Sequence, residues 1–475
     1  MAETLRLNDF TGGLNEVAQT GRLKENQSPS LKNIIIDELG TLKKRKGYTR
    51  FNENKISDKP IIGLYIYHEA DGTRHFLMAN GTDIYEADES TNTWTSIKSG
   101  LTDGEEYRFT TLGGLLYITN GVDPLMKYDG STFTDITDAP TSSYIIDHDN
   151  HLFMADDNSL KYAEFADTSI WGTIDIPEET GEVITGLASL KGELVIFMSD
   201  SIHILYGDDP TNWQRREVVS NTGCVAPKSI VNIFGDLYFA YKDGIYKFNG
   251  SQATKMSWTV VESFKEVKNL KDMKGAEYNN QYILSYQDKD TDEYRALVNS
   301  PQHESWTKFY NLPVGVWNNF DGSQDGEIDE LYFGDAEKGL VYKAFDGYSD
   351  DGEKIMVDFS TKNLNASQPE LINTFRKLMV DTQTQGEFYI DYSIDNGDKT
   401  GTIKFEGGTT KEEYMWGEVT WDKLIWNEPE RKRFVKSLRS AYGSSMQITI
   451  RENSTTPVEI QGITLVVRPR RERWL

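Results

Sequence analysis

The sequence has almost no cysteine: Cys224 stands alone among 475 residues. That excludes an intramolecular disulfide framework and any zinc site built on cysteines. Histidine is also scarce, six residues, and neither GxSxG nor HExxH occurs, so two familiar hydrolase signatures are missing. No apolar run approaches the ~18 residues of a membrane-crossing helix, and no span is expected. The opening MAETLRLNDF lacks an apolar stretch, so an ordinary secretory signal is not expected and synthesis in the cytoplasm is. Long helical periodicity is lacking too. Cations are outnumbered, 50 Lys+Arg against 75 Asp+Glu, for a net charge of −25. Such a surface repels phosphates and argues against wrapping duplex DNA.

What is present begins with size and aromatics. The length exceeds what one compact domain usually needs, so two or three are expected. Aromatic residues make up 12% of the chain, enough to build real cores. The charge is uneven: residues 1–50 hold 9 basic and 6 acidic residues, and 426–475 hold 10 and 5. The stretch 51–425 holds 31 basic and 64 acidic. The basic ends suit docking on acidic neighbours; the acidic middle suits a solvated surface.

Short alternating strands closed by Asn, Asp or Gly turns recur along the chain. Segments 74–97, 109–136, 147–174, 187–218, 233–256, 278–309 and 331–345 repeat one scheme. A polar turn leads into a strand such as LLYIT or DLYFA, a turn follows, then a strand carrying Tyr, such as LMKYD or GIYKFNG. Several units add a tryptophan: Trp94, Trp213, Trp306. A spacing of roughly 30–45 residues is that of four-stranded propeller blades. The fold expected is all-β: a β-propeller of about seven blades, with an amino-terminal arm and a carboxy-terminal β-sandwich-like domain. The boundaries are an arm over 1–55, too short for its own core, a propeller over 56–350 and a β domain over 351–475. The stretch 431–445 is ambiguous, because Phe434, Leu438 and Ala441 fit a helix while the flanks alternate as strands.

Candidate chemistry is sparse. Asp321, Ser323, Asp325 and Asp329, with Gly326, have the spacing of a calcium loop, but Tyr332 stands where a bidentate Glu belongs. A polar turn is the plainer reading, and no metal or cofactor is expected. Asp147–His151 offers two histidines and no third cluster. Ser393-Ile-Asp395-Asn-Gly397 resembles an Asp-box hairpin, in which the carboxylate satisfies turn N–H groups. No convergent acid, base and nucleophile set appears, so an enzyme is not expected.

The first fifty residues carry Asp9-Phe-Thr-Gly-Gly-Leu-Asn15, then Leu31-Lys-Asn33, then Gly40-Thr-Leu-Lys-Lys-Arg-Lys-Gly47. This resembles the start of tail hub or nozzle proteins of short-tailed bacteriophages, the group called packaged-DNA stabilization proteins. The resemblance implies an assembly arm, carried here by Gly12, Gly13, Leu14, Asn15, Asn33, Gly40, Arg45 and Gly47. It also implies a ring of subunits, usually six, in the virion tail below the portal and adaptor. Such a ring would continue the DNA channel without binding DNA specifically. The acidic turns Asp88-Glu89, Asp156-Asp157, Asp208-Asp209 and Asp350-Asp351 are the expected channel lining. The competing class is a propeller that binds carbohydrate or a receptor.

Overall fold

The computed structural model describes residues 3–164, 167–175, 181–319, 330–365, 372–384, 386–406, 432–439 and 441–469. Strands dominate; among the described residues one short α-helix occurs, Val261–Lys265. The chain forms two compact units. One holds residues 49–296 and 311–344; the other holds 1–48, 297–310 and 345–475.

The first unit is a β-propeller. Five complete four-stranded antiparallel meanders follow in chain order, over 61–98, 108–136, 145–175, 184–220 and 231–255. A sixth blade begins with Lys274–Tyr278 and Gln281–Gln287. A seventh is built on Val314–Asn319, Leu331–Asp335 and Val341–Ala344. The first strands form the inner ring: Ile61–His68 neighbours both Arg108–Leu112 and Val314–Asn319, and Lys274–Tyr278 neighbours Val314–Asn319. The ring therefore closes between the seventh blade and the first. The closing segment comes from ahead of the first blade, where Phe51 N–H donates to Val341 O at 2.8 Å and Asn52 Oδ1 accepts from Val341 N–H at 2.9 Å.

The middle strands show why their sequences read as unbroken apolar runs. In Glu193–Met198, residues Leu194, Ile196 and Met198 pack on Phe153 and Leu160 of the third blade, while Val195 and Phe197 pack on Leu237, Phe239 and Phe248 of the fifth. The second blade does the same: Leu116 and Ile118 face Leu77 and Ala79, and Tyr117 faces Leu152 and Met154. A strand with period two, covered on both faces, must be apolar at every position. The hairpin between first and second strands repeats as well. Residues 113–114, 149–150, 191–192, 234–235 and 279–280 all have positive φ at both positions. That is the two-residue turn whose twist matches the flanking strands.

The second unit consists of two facing sheets. One carries Asn373–Thr384, flanked by Lys432–Ser437 and Val458–Pro469, and continues through Leu42–Lys44 to Ile34–Ile36; Glu3–Leu7 also pairs with Val458–Pro469. The other joins Ser305–Tyr310, Ser30–Lys32, Glu353–Ser360, Ser445–Ser454, Phe388–Ile394 and Lys399–Phe405. The Phe434 ring bridges them, with centroids 5.8 Å from Phe388 and 5.5 Å from Phe405. The sandwich expected at the carboxy terminus is present, and the ambiguous segment is strand over Lys432–Ser437.

The divisions differ from those drawn at 55/56 and 350/351. Residues 1–48 are no separate arm; they supply strands to both sheets of the second unit. The segment needs no core of its own because its partners lie far downstream, from Lys308 beside Lys32 to Val467 beside Glu3.

Candidate functional site

The residues singled out near the amino terminus converge on one buried node. The Arg45 side chain is 1% exposed and every one of its five N–H groups is used. Nη1 and Nη2 reach Asp350 Oδ1 and Oδ2 at 2.8 and 2.6 Å, Nε reaches Asn33 Oδ1 at 2.9 Å, and the remaining hydrogens go to the carbonyls of Lys46 and Tyr310. Asn33, at φ 56°, also accepts from Tyr310 N–H at 2.8 Å and donates to Met356 O at 2.8 Å. Gly47 lies against Ser349: a Cβ there would stand 1.8 Å from its carbonyl oxygen. Beside the node, Lys44 pairs with Glu452 at 2.8 Å, both side chains fully buried. Burial draws the Lys44 ammonium below its ordinary pKa, against the pull of Glu452.

The remaining motif residues shape the approach to this node. Gly40, at φ 76°, ends the Asp37 turn and receives Phe10 N–H at its carbonyl. Leu14 is buried, Asn15 Oδ1 accepts from Val17 and Ala18 N–H, Gly12 lies against Asn26 and Gly13 against Ser305 and Trp306. The eight residues are thus fold staples within the second unit. Lysine and arginine next to glycines signalled the segment; their acidic partners, Asp350 and Glu452, could not be paired with them from sequence.

The other candidates fare variously. Asp321, Ser323, Asp325 and Asp329 lie outside the described residues. His148 and His151 oppose each other across a hairpin end. His151 Nδ1 is 2.7 Å from Asp149 O, and the ring packs on Trp213 at 5.0 Å. Among the described residues no three histidine, cysteine or carboxylate side chains are grouped so that they could hold a metal ion. Asp395 accepts from Ser444 N–H at 2.8 Å and Ser445 N–H at 2.9 Å, 49 and 50 residues away, rather than from its own turn as the hairpin motif suggests. The four acidic turns fall at different places in the fold. Asp350 is buried against Arg45, while Asp88 and Asp208-Asp209 sit between third and fourth strands, away from the first strands, and Asp156-Asp157 joins a second strand to a third.

Two side-chain groups escaped the sequence reading. His75 lies between Glu86, 2.5 Å from Nδ1, and Glu69, 2.7 Å from Nε2. Burial opposes its charged form, but the two carboxylates outweigh burial and raise its pKa above the usual value. In the fourth blade, Arg215 donates to His203 Nδ1 at 2.7 Å, His203 Nε2 lies 3.0 Å from Ser201 Oγ, and Ser201 Oγ donates to Glu182 at 2.6 Å. The arginine fixes the histidine hydrogen on Nε2, so the serine oxygen receives a hydrogen bond from the ring. An activated nucleophile needs the opposite polarity. Burial, then Arg215, lowers the His203 pKa.

The fold is thus a seven-bladed β-propeller with a β-sandwich that takes in both chain ends. No family model and no curated protein matches the chain. Among solved structures, it is similar to YCF48 bound to D1 peptide, with a TM-score of 0.39, 12% identity, and coverage of 63% of this chain and 95% of that one. It is also similar to the extracellular domain of a hybrid two-component system from B. thetaiotaomicron, with a TM-score of 0.38, 12% identity, and coverage of 71% of this chain and 51% of that one.

Proposed function

We propose that the chain is a structural subunit of a short-tailed bacteriophage tail. In this reading it forms a hub or nozzle ring, six copies being usual, beneath the portal and adaptor, and the ring retains packaged DNA and lets it pass without specific binding. The observation that carries the reading is the amino-terminal signature: the residues on which the resemblance rests are those that staple the second unit around Arg45. Their spacing therefore has a structural reason to be kept. That unit also leaves Leu39, at 83% exposure, and Met356, at 61%, bare on its surface. Exposed large apolar groups suit contacts between subunits. No helix of the described residues is long and apolar enough to cross a membrane.

Sizing of the purified full chain over a wide concentration range, followed by particle imaging, tests the reading. A closed ring supports it. A monomer at every concentration that also fails to join tail particles sinks it. A second reading, a glycan-binding propeller, is favoured by Trp258, which is 68% exposed as a sugar-stacking platform would be. Loss of glycan retention on Trp258→Ala would favour that reading over the ring.

A further inference from the structure

One end of the propeller axis concentrates positive charge. Glu106, just ahead of the second blade, lies 3.0 Å from Lys228 Nζ, ahead of the fifth blade, and 3.9 Å from Lys274 Nζ, at the start of the sixth. In a ring of seven, elements three blades apart meet only across the axis, so these pairs span it. Arg108 stands two residues beyond Glu106, on the inner strand Arg108–Leu112, and is coupled electrostatically to Glu106 and Lys228. Its guanidinium makes no hydrogen bond or ion pair with any described residue. The Lys228 side chain is only 9% exposed, and its ammonium has Glu106, itself half exposed, beside it. Burial, aided by Arg108 and Lys274, brings the Lys228 pKa down to about 7 despite Glu106.

With Lys228 protonated, three cations against one carboxylate leave a local charge of +2, inside a chain whose net charge is −25. Holding like charges together, with both lysine side chains largely buried, is costly unless an anion joins them. The donors are one planar fork and two ammonium groups, a set that suits the oxygens of a tetrahedral oxyanion. We propose that this end of the axis, formed by Glu106, Arg108, Lys228 and Lys274, binds a phosphate dianion, either inorganic phosphate or the terminal phosphate of a monoester. A dianion balances the +2 charge. An internucleotide phosphate carries a single charge, and its polymer must approach through the acidic exterior.

Calorimetric titration of the full chain with inorganic phosphate at pH 7 and low salt tests this, with glycerol phosphate as a second arm to separate the free ion from a monoester. Saturable one-to-one binding is expected in at least one arm. Arg108→Gln and Lys228→Met should each weaken it at least tenfold. Glu106→Gln, which removes the competing carboxylate, should tighten it severalfold; circular dichroism of each variant verifies folding. Absence of binding in both arms overturns the proposal. So does binding that Arg108→Gln and Lys228→Met leave unchanged, or tighter binding of a short single-stranded oligonucleotide than of either phosphate.

Discussion

The two units solve the packing problem in opposite ways. The propeller buries apolar side chains on both faces of each middle strand, and neighbouring blades meet through leucine, isoleucine and phenylalanine. The sandwich assembles from segments far apart in the chain and places Arg45, Asp350, Lys44 and Glu452 in its interior. A leucine can be satisfied by many neighbours. A guanidinium whose five donors are all filled is satisfied by one arrangement. Repetition lets the propeller rely on undirected burial, because each blade meets its neighbour in sequence. The sandwich has no such help, and directional pairs define which distant segments lie together.

That contrast can be broken. Arg45→Met should cost about 3–5 kcal/mol, because the buried Asp350 loses its guanidinium partner. Scanning calorimetry should show the loss in one transition while the propeller's stays in place. Adding Asp350→Leu should recover part of it; a double variant no better than the single would mean the charges are not what matters. In the propeller, Leu194→Ala should cost roughly 2–5 kcal/mol through the cavity left against Phe153 and Leu160. There a change of apolar volume, not of charge, is the damaging event, and a Leu194→Met variant should keep most of the stability.

Smaller effects sharpen the comparison. Asp395→Ala removes the acceptor for two backbone N–H groups and should lower stability by about 1 kcal/mol, read from denaturant midpoints. His75 is a polar exception within the propeller and supplies a pH signature. Its pKa is higher folded than unfolded, so its contribution is complete below about 6.5 and is lost as pH rises through the folded value. His75→Gln should flatten the dependence of Tm on pH from about 6.5 upward; an unchanged slope would show that another group controls it.

The propeller was largely legible because its signals are local. Turn residues and alternating strands stand within a few positions of each other, and the recurring units between 109 and 256 coincide with the second to fifth blades, whereas those beginning at 74 and 331 missed the first strands Ile61–His68 and Val314–Asn319. Trp94, seen in sequence only as a recurrent mark, packs with Phe51 and Phe76. The pairing of Phe51 with Val341 was not legible, since nothing local in either segment points to the other. The same holds for Arg45 and Asp350. The lysine- and arginine-rich run looked like a solvated or docking surface, yet Lys44 and Arg45 are buried. A charged residue next to a glycine reads alike in a loop and in a core; only its distant partner tells them apart.

The closing strand also sets an order of events during synthesis. Phe51 leaves the ribosome about 290 residues before Val341, the residue it hydrogen-bonds. At about 5–20 residues per second that gap lasts roughly 15–60 s. Throughout it, the growing arc of blades has an unpaired edge at each end, a template for association with other chains. The contact that completes the fold is among its most non-local, so closure is expected to be slow compared with formation of each blade. The nascent chain must therefore keep its own beginning within reach until the last blade emerges.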